Sequence, residues 1–484
     1  MKPNIIVIMS DQHSKHLLGC YGNKIVRTPN LDKMAKQGMR FTGAYCPAPI
    51  CVPSRMSFMT SRTPSSNAVY NNTHILHSGI PTWAHHLSAA EYETALIGRM
   101  HFVGPDQYHG FEKRFIGEIR TCSAKVPKIA QSQWRQGAEI TGTGSDETQW
   151  YDALVRDAAC RYIEEKGNKS PDSRPFAAVV GLMMPHSPFI GPKDLFDHYY
   201  DKMEVPEFDH KALPPTIQLH RKAHRFSDKP LSHEQILRAR AAYYARCEVV
   251  DRTVGKILET LDKTGLTENT MIVYTSDHGE MIGQRGLWFK NSFYEGSAGI
   301  PLIVSMPGIV KHNVSSNTIC NLMDLGPTFC ELAGAPEIIK NNGTSLLRTL
   351  KGEEDKNRRD YTFCEMVNER MNPGLPMRMI RSGKWKLWYY GSAENLPPAL
   401  FNMEADPDET NDLCQDPQYG EIRKQLLKKL LDDWNPDKIT KLEKFSAEDS
   451  IMVHKTEKIW ENKELITIPP EDAEQGLELF PYDF

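Results

Sequence analysis

The run Met271-Ile272-Val273-Tyr274-Thr275-Ser276-Asp277-His278-Gly279-Glu280 decides the fold. Its first six residues read as a buried strand, which stops at an acid and a histidine. Upstream, Ser232-His233-Glu234-Gln235 has the pattern of a capping box. Behind it Tyr243, Cys247, Val250, Val254, Ile257 and Leu261 repeat as one apolar stripe until Lys263 and Gly265. A long helix therefore feeds the strand. Before that helix, Phe176-Ala177-Ala178-Val179-Val180-Gly181-Leu182 reads as another strand and runs into Met183-Met184-Pro185-His186-Ser187-Pro188. Strand, helix and strand form a crossover unit, which predicts a mostly parallel sheet. In such sheets the site forms at the carboxyl ends of the strands, so His186 and Asp277 share one edge.

The amino terminus repeats the pattern. Ile5-Ile6-Val7-Ile8-Met9 reads as a buried strand ending in Ser10-Asp11-Gln12-His13, which puts Asp11 on the same edge. Taken alone, Asp11 would be an ordinary turn aspartate. Thr28-Pro29-Asn30-Leu31-Asp32 opens a helix with Leu31, Met34, Ala35 and Met39 on one face and Gly38 near its end. A short strand from Tyr92 ends in the turn Gly98-Arg99-Met100-His101. Ile300-Pro301-Leu302-Ile303-Val304 adds a core strand, and a helix from Asp324 to Gly334 closes the large domain, residues 1–345. From 346 to 440, Tyr361 to Glu365 and Met377 to Tyr390 alternate like antiparallel strands, with a covering helix from Tyr419 to Trp434. The charged stretch 441–484 suits solvent or a neighbouring subunit, which leaves a homo-oligomer open.

Cys51-Val52-Pro53-Ser54-Arg55 follows the lead-in Pro47-Ala48-Pro49-Ile50, which cannot be helical. Ser54 reads as a cap for a helix through Met56 to Met59. Cys51 then sits just before a helix N-terminus, where amide dipoles favour anions. An isolated cysteine more often packs as a small core residue.

A chain of 484 residues exceeds one ordinary core, and 40% apolar with 25% charged residues marks it as globular. A net charge of −4 argues against nucleic acid as the main partner. No apolar run approaches the roughly 18 residues of a membrane span, and the one at the start is too short for a secretory leader. The chain as given reads as soluble and cytoplasmic, or periplasmic had a leader been removed. Its ten cysteines are scattered without Cys-x-x-Cys pairs, so neither a zinc ribbon nor a disulfide scaffold is expected.

These motifs, in this order, resemble the type I sulfatases of the alkaline phosphatase superfamily over residues 3 to about 435. Cys51-x-Pro53-x-Arg55 matches the nucleophile signature. Tyr92 to His101 is similar to the second signature, Gly-Tyr-x-Thr-x-x-x-Gly-Lys-x-His, except that Glu91 replaces the Gly and Arg99 the Lys. Asp11-Gln12 and Asp277-His278, in place of Asp-Asp and Asp-Asn, resemble the choline-sulfatase-like and phosphonate-monoester-hydrolase-like branch. Phe102 to Gln107, Gly286 to Lys290 and Val69-Tyr70-Asn71-Asn72 resemble choline sulfatases in particular.

The resemblance implies an α/β fold like that of alkaline phosphatase, with a small C-terminal antiparallel-sheet subdomain. It implies that a formylglycine-generating or anaerobic sulfatase-maturating enzyme converts Cys51 to formylglycine, whose hydrate provides a nucleophilic hydroxyl. Arg55 would hold that residue and balance charge at a divalent metal bound by Asp11, Gln12, Cys51, Asp277 and His278. Such an oxygen-rich set suits Ca²⁺ or Mn²⁺. Asn72 and Arg99 would contact sulfate, although Arg99 cannot pass a proton as a Lys could. The ester oxygen would leave with help from His186 or Lys290, and His101 would deprotonate the sulfated gem-diol. The expected substrate is a sulfate monoester, of a carbohydrate if His74, His77 and the insertion 117–150 shape a saccharide pocket. Choline sulfate and a phosphonate monoester or phosphodiester remain alternatives.

Overall fold

The computed structural model describes residues 2–119, 138–168, 173–368, 374–391 and 396–459. The first strand, β1 (Asn4–Asp11), is buried along its whole length. Ile5, Val7 and Met9 enter one hydrophobic cluster, while Ile6 and Ile8 enter another on the opposite face. A strand apolar on both faces needs cover on both, so helices flank the sheet on either side.

The remaining strands of this sheet are β2 (Met39–Phe41), β3 (Glu93–Gly98), β4 (Lys113–Arg114), β5 (Phe176–Pro185), β6 (Thr270–Ser276), β7 (Leu302–Ser305) and β8 (Val314–Ser316). They lie in the order β8-β2-β7-β6-β1-β5-β3-β4. The five strands from β6 to β4 are parallel, as expected. Strand β7 runs antiparallel to both neighbours, which makes the sheet mixed. Its connection from β6 holds the site loop and two short helical turns, Gln284–Gly286 and Glu295–Ala298, with no crossover helix to carry the chain back.

The helices that matter for the site are α1 (Pro29–Lys36), α2 (Cys51–Thr60), α3 (Glu147–Gly167), α4 (Pro215–Ala223) and α5 (His233–Lys263). The capping box forms at α5: Ser232 Oγ accepts from Gln235 N at 3.2 Å, and Gln235 Oε1 accepts from Ser232 N at 2.9 Å. The apolar stripe is buried but divided. Tyr243 and Cys247 face one cluster, and Val250, Val254, Ile257 and Leu261 face the other.

Helix α2 corrects the expected start. It begins at Cys51 after the extended Ile50, three residues before Ser54. Pro53 falls in the first turn, where a missing N–H costs no helical bond, so it does not delay the helix. Ser54 is no cap; its hydroxyl donates to Asp277 O at 2.5 Å.

The small sheet is an antiparallel meander of β9 (Tyr361–Asn368), β10 (Leu375–Ser382), β11 (Trp385–Tyr390) and β12 (Ala399–Asn402). Helix α6 (Gly420–Leu431) covers it, with Leu426 and Leu430 packed beside Ile380, Leu387 and Leu400. Helix α7 (Pro436–Ile459) runs on from there into the stretch read as a tail. Its Ile439 is buried, and Glu443 Oε1 accepts from Asn71 Nδ2 at 3.1 Å. Residues 460–484 and most of the insertion, 120–137, lie outside the described residues. No described helix is long and apolar enough to cross a membrane. The nine described cysteines are unpaired.

Buried acids make stability depend on pH, Asp152 and Asp251 among them. Asp152 accepts from Met183 N (2.6 Å) and Met184 N (2.9 Å), and Asp251 accepts from Leu31 N (2.8 Å) and Asn30 N (3.2 Å). Burial outweighs these bonds and pushes the carboxyls up to about 7 and about 6. The folded chain thus holds protons that the unfolded chain, titrating at about 3.9, gives up. This stabilisation is complete below about pH 4 and is lost as pH rises through 6 and 7. Buried His13, lowered to about 4 by burial, acts in the opposite sense. The readout is therefore a difference. From pH 5 to 8 the unfolding midpoint of the wild type should fall relative to that of Asp152→Asn.

Candidate active site

Four adjacent parallel strands present their carboxyl ends to one place. Strand β6 delivers Asp277 and His278, β1 delivers Asp11 and Gln12, β5 leads to His186, and β3 leads to Arg99 and His101. The N-terminus of α2 brings Cys51 to the same edge. One ligand atom from each of Asp11, Cys51, Asp277 and His278 lies within 4.8 Å of the others, and all four residues are buried.

Arg55 organises the two acids. Its Nε donates to Asp277 Oδ2 at 2.8 Å, Nη2 to Asp11 Oδ2 at 3.1 Å, and Nη1 to Arg99 O at 3.1 Å. Arg99 Nε adds a bond to Asp11 Oδ2 at 2.7 Å. Burial alone would raise the carboxyl of Asp11. The charges of Arg99, His186, Arg55 and Lys290 overcome it and hold Asp11 well below the usual range. Burial lowers the pKa of His278, although Asp277 and Asp11 oppose this. Its Nδ1 lies 3.0 Å from Gly279 O, so that nitrogen carries the proton and Nε2 faces Cys51 with a free lone pair. Cys51 Sγ is 3.2 Å from that Nε2 and 3.8 Å from Asp11 Oδ1. Two carboxylates and a neutral imidazole, ringed by arginines, fit a divalent cation.

The other expected residues surround this cluster. Asn72 Oδ1 accepts from Val52 N at 2.9 Å, which satisfies a first-turn amide of α2 and leaves its NH₂ for another acceptor. Gln12 Oε1 accepts from Lys290 Nζ, and Gln12 Nε2 donates to Glu280 Oε2 at 2.5 Å. His101 Nδ1 accepts from Arg99 Nη2 at 2.7 Å. His186, Asn72 and His101 are half-buried, whereas Arg99 and Lys290 are buried. His74 does not join them. It is fully buried, its Nδ1 accepts from Tyr70 N, and Nε2 lies 3.6 Å from Glu443, so it belongs to the packing under α7.

Four further residues hold these groups in place. Glu118 Oε1 accepts from Met100 N (3.0 Å) and His101 N (2.6 Å), and its other oxygen lies 3.5 Å from Arg99 Nη1. Glu280 accepts from Gln12 and, through Oε1, from Ile282 N and Phe289 N, so it closes the loop that carries Lys290. Burial pushes its carboxyl up to about 7. Tyr243 donates to Gln12 O at 2.5 Å, and Arg246 donates to His186 O at 2.8 Å. Of these, Glu280 lies within the run 271–280 that ends the strand β6. The other three act across gaps in sequence that no local pattern marks. Glu118→Ala frees Arg99 and His101 together and should lower kcat/KM about 10- to 100-fold, the range for losing hydrogen bonds to a charged group. Sulfate-release kinetics alongside an unchanged circular dichroism spectrum would check this.

The fold and this site define a hydrolase of anionic esters with an alkaline-phosphatase-like architecture. The model of the family described as Sulfatase matches residues 3–335, and that of the N-sulphoglucosamine sulphohydrolase C-terminal region matches 283–435. The chain belongs to the Sulfatase family and is a sulfuric ester hydrolase. It is 35% identical over 438 residues to the choline-sulfatase of Rhizobium meliloti, covering 86% of this chain and 83% of that one. It is 27% identical to arylsulfatase K of Danio rerio, covering 89% and 84%. Among solved structures, BT1596, a 2-O GAG sulfatase, superposes with a TM-score of 0.72 at 24% identity, covering 92% and 93%. The phosphonate monoester hydrolase of Agrobacterium radiobacter also gives 0.72, at 23% identity, covering 89% and 95%. These two structures share the fold.

Proposed function

We propose that the chain hydrolyses the sulfate monoester of a carbohydrate, using formylglycine made from Cys51 and a divalent cation, Ca²⁺ in preference to Mn²⁺. The observation that carries this reading is the position of Cys51 Sγ, beside His278 Nε2 and Asp11 and at a helix N-terminus. The thiol sulfur stands in for a hydroxyl oxygen of the hydrated aldehyde. Cys51 to Arg55 are all buried, so the maturing enzyme must meet them before the chain folds.

The cation, held by Asp11, Asp277 and His278 with Gln12 beside them, would supply Lewis acidity. Arg55 fixes both carboxylates and adds positive charge next to residue 51. Arg99 and Lys290, with the amide NH₂ of Asn72, face the sulfate and stabilise charge that grows on its oxygens. His186 or Lys290 gives a proton to the departing alcohol oxygen. His101 takes a proton from the sulfated hydrate, and the bond from Arg99 Nη2 to its Nδ1 orients the ring.

The test is free sulfate released from sulfated mono- and disaccharides, choline sulfate and a phosphonate monoester, with protein whose Cys51 peptide has the aldehyde mass. A saccharide should be preferred. Preference for choline sulfate would overturn the substrate class, and preference for the phosphonate would overturn the function.

A further inference from the structure

We infer that the cavity against the tip of the 280–290 loop is a subsite for an acidic sugar, whose second anionic group pairs with Arg221 while its ring lies against Trp288 and Phe208. This rests on the sulfatase reading of the Cys51 site. The cavity has a volume of 570 Å³ and is lined by Arg221, Lys229, His210, Phe208, Phe226 and Trp288, with exposed Glu207 as its one acid among the described residues. Large apolar surfaces with a few placed polar groups are the usual make-up of a ligand pocket.

Arg221 is the decisive residue. Among the described residues five arginines are buried: Arg55, Arg99, Arg221, Arg246 and Arg378. Four of them meet carboxylates. Arg221, only 8% exposed, meets none. Its Nη1 donates to His210 Nδ1 at 2.9 Å, its guanidinium lies 5.1 Å from the centre of the Phe208 ring, and its Nε has no partner. Burial lowers its pKa, and no neighbouring charge offsets that. A buried cation without an anion is costly, and an incoming carboxylate or sulfate would complete it.

The cavity is joined to the catalytic edge by one loop. Met281 N bonds Phe289 O and Gly283 N bonds Leu287 O, so the segment is a hairpin with Glu280 and Lys290 at its base. At its tip Gly286 has a left-handed φ of +64°. A Cβ there would lie 2.8 Å from Phe208 Cζ and 2.9 Å from Arg221 Nη2, so only glycine lets the tip rest on both. Trp288 is two residues from Lys290, at most about 7 Å along the chain. Arg221 rests on Gly286, four residues from Lys290 and at most about 14 Å along the chain, a span suited to a second sugar attached to the scissile ester. A cationic choline head would instead meet an uncompensated guanidinium.

The experiment uses three sulfated disaccharide probes that differ only in carrying a carboxylate, a second sulfate or a neutral hydroxymethyl group. Aldehyde-bearing wild type should favour an acidic probe over the neutral one, and the better acidic probe identifies the anion. Arg221→Met should raise KM for that probe about 10- to 100-fold with little change in kcat, and erase the preference. Its thermal midpoint should match or exceed that of the wild type, since an unpaired buried cation is gone. Calorimetric binding of the same probes to Cys51→Ala protein reads the subsite without turnover. Equal handling of acidic and neutral probes, or a preference that survives Arg221→Met, would overturn the subsite and leave the sulfatase reading standing. Absence of sulfate release from every ester would instead strike at that reading.

Discussion

Cys51→Ala abolishes sulfate release, by at least about 10⁴-fold, and leaves the fold intact. Removing a nucleophile in other hydrolases costs on the order of 10⁶ in kcat, and what remains comes from the surrounding charge stabilisation. Here that residue of activity would come from Arg99, Lys290 and the cation. The substitution deletes one sulfur atom at the first position of α2. The cavity it leaves is small, and the bonds of Arg55 to Asp11 and Asp277 do not pass through it. Stability should change by about 1 kcal/mol or less, as for the loss of one small buried group. Turnover assays with a matched thermal melt check both halves. Activity within tenfold of the wild type would remove Cys51 from the mechanism.

Arg55→Met disables the site by another route. Arg55, Asp11 and Asp277 have fully buried side chains. Without the guanidinium two carboxylates face each other in a dry interior. Breaking a buried ion pair by removing one partner typically costs about 3–5 kcal/mol. The cation-free protein, held in chelator, should therefore melt at a clearly lower temperature. Adding Ca²⁺ should recover more stability in the variant than in the wild type, because the ion can neutralise the same two acids. Turnover should not recover, since the charge beside residue 51 is gone and a Ca²⁺ ion cannot reproduce the bond to Arg99 O. Arg55→Lys should fail as well, because one ammonium cannot reach all three oxygens that the planar fork spans. Equal midpoints for variant and wild type in chelator would contradict this account of the site.

The sequence revealed the groups that end strands. Asp11, Asp277, His278, His186 and Arg99 each follow an apolar run, and the parallel topology brings such ends together, as found. Cys51 and Arg55 are legible from a local signature, whereas the start of α2 is not, because Ser54 has the residue type of a cap but lies inside the first turn. Pro53 is tolerated in a first turn, and the extended residue is Ile50. Glu118, Tyr243 and Arg246 could not be read. Glu118 holds amides 17 and 18 residues away, and Tyr243 reaches Gln12 across 231 residues while sitting in what looks like a plain packing stripe. The cavity behind Trp288 was also hidden. Its walls come from α4 and the loops on either side of it, from the start of α5 and from a loop tip, and no periodicity joins them.

The central claim is that turnover depends on the converted Cys51, and one titration tests it. Preparations would be made with graded occupancy of the aldehyde, measured as its mass fraction in the Cys51 peptide, and assayed for sulfate released per mole of protein. The account predicts a straight line through the origin, with turnover per aldehyde constant. Sulfate release that is independent of that fraction, or equal in protein with unmodified Cys51, would contradict it.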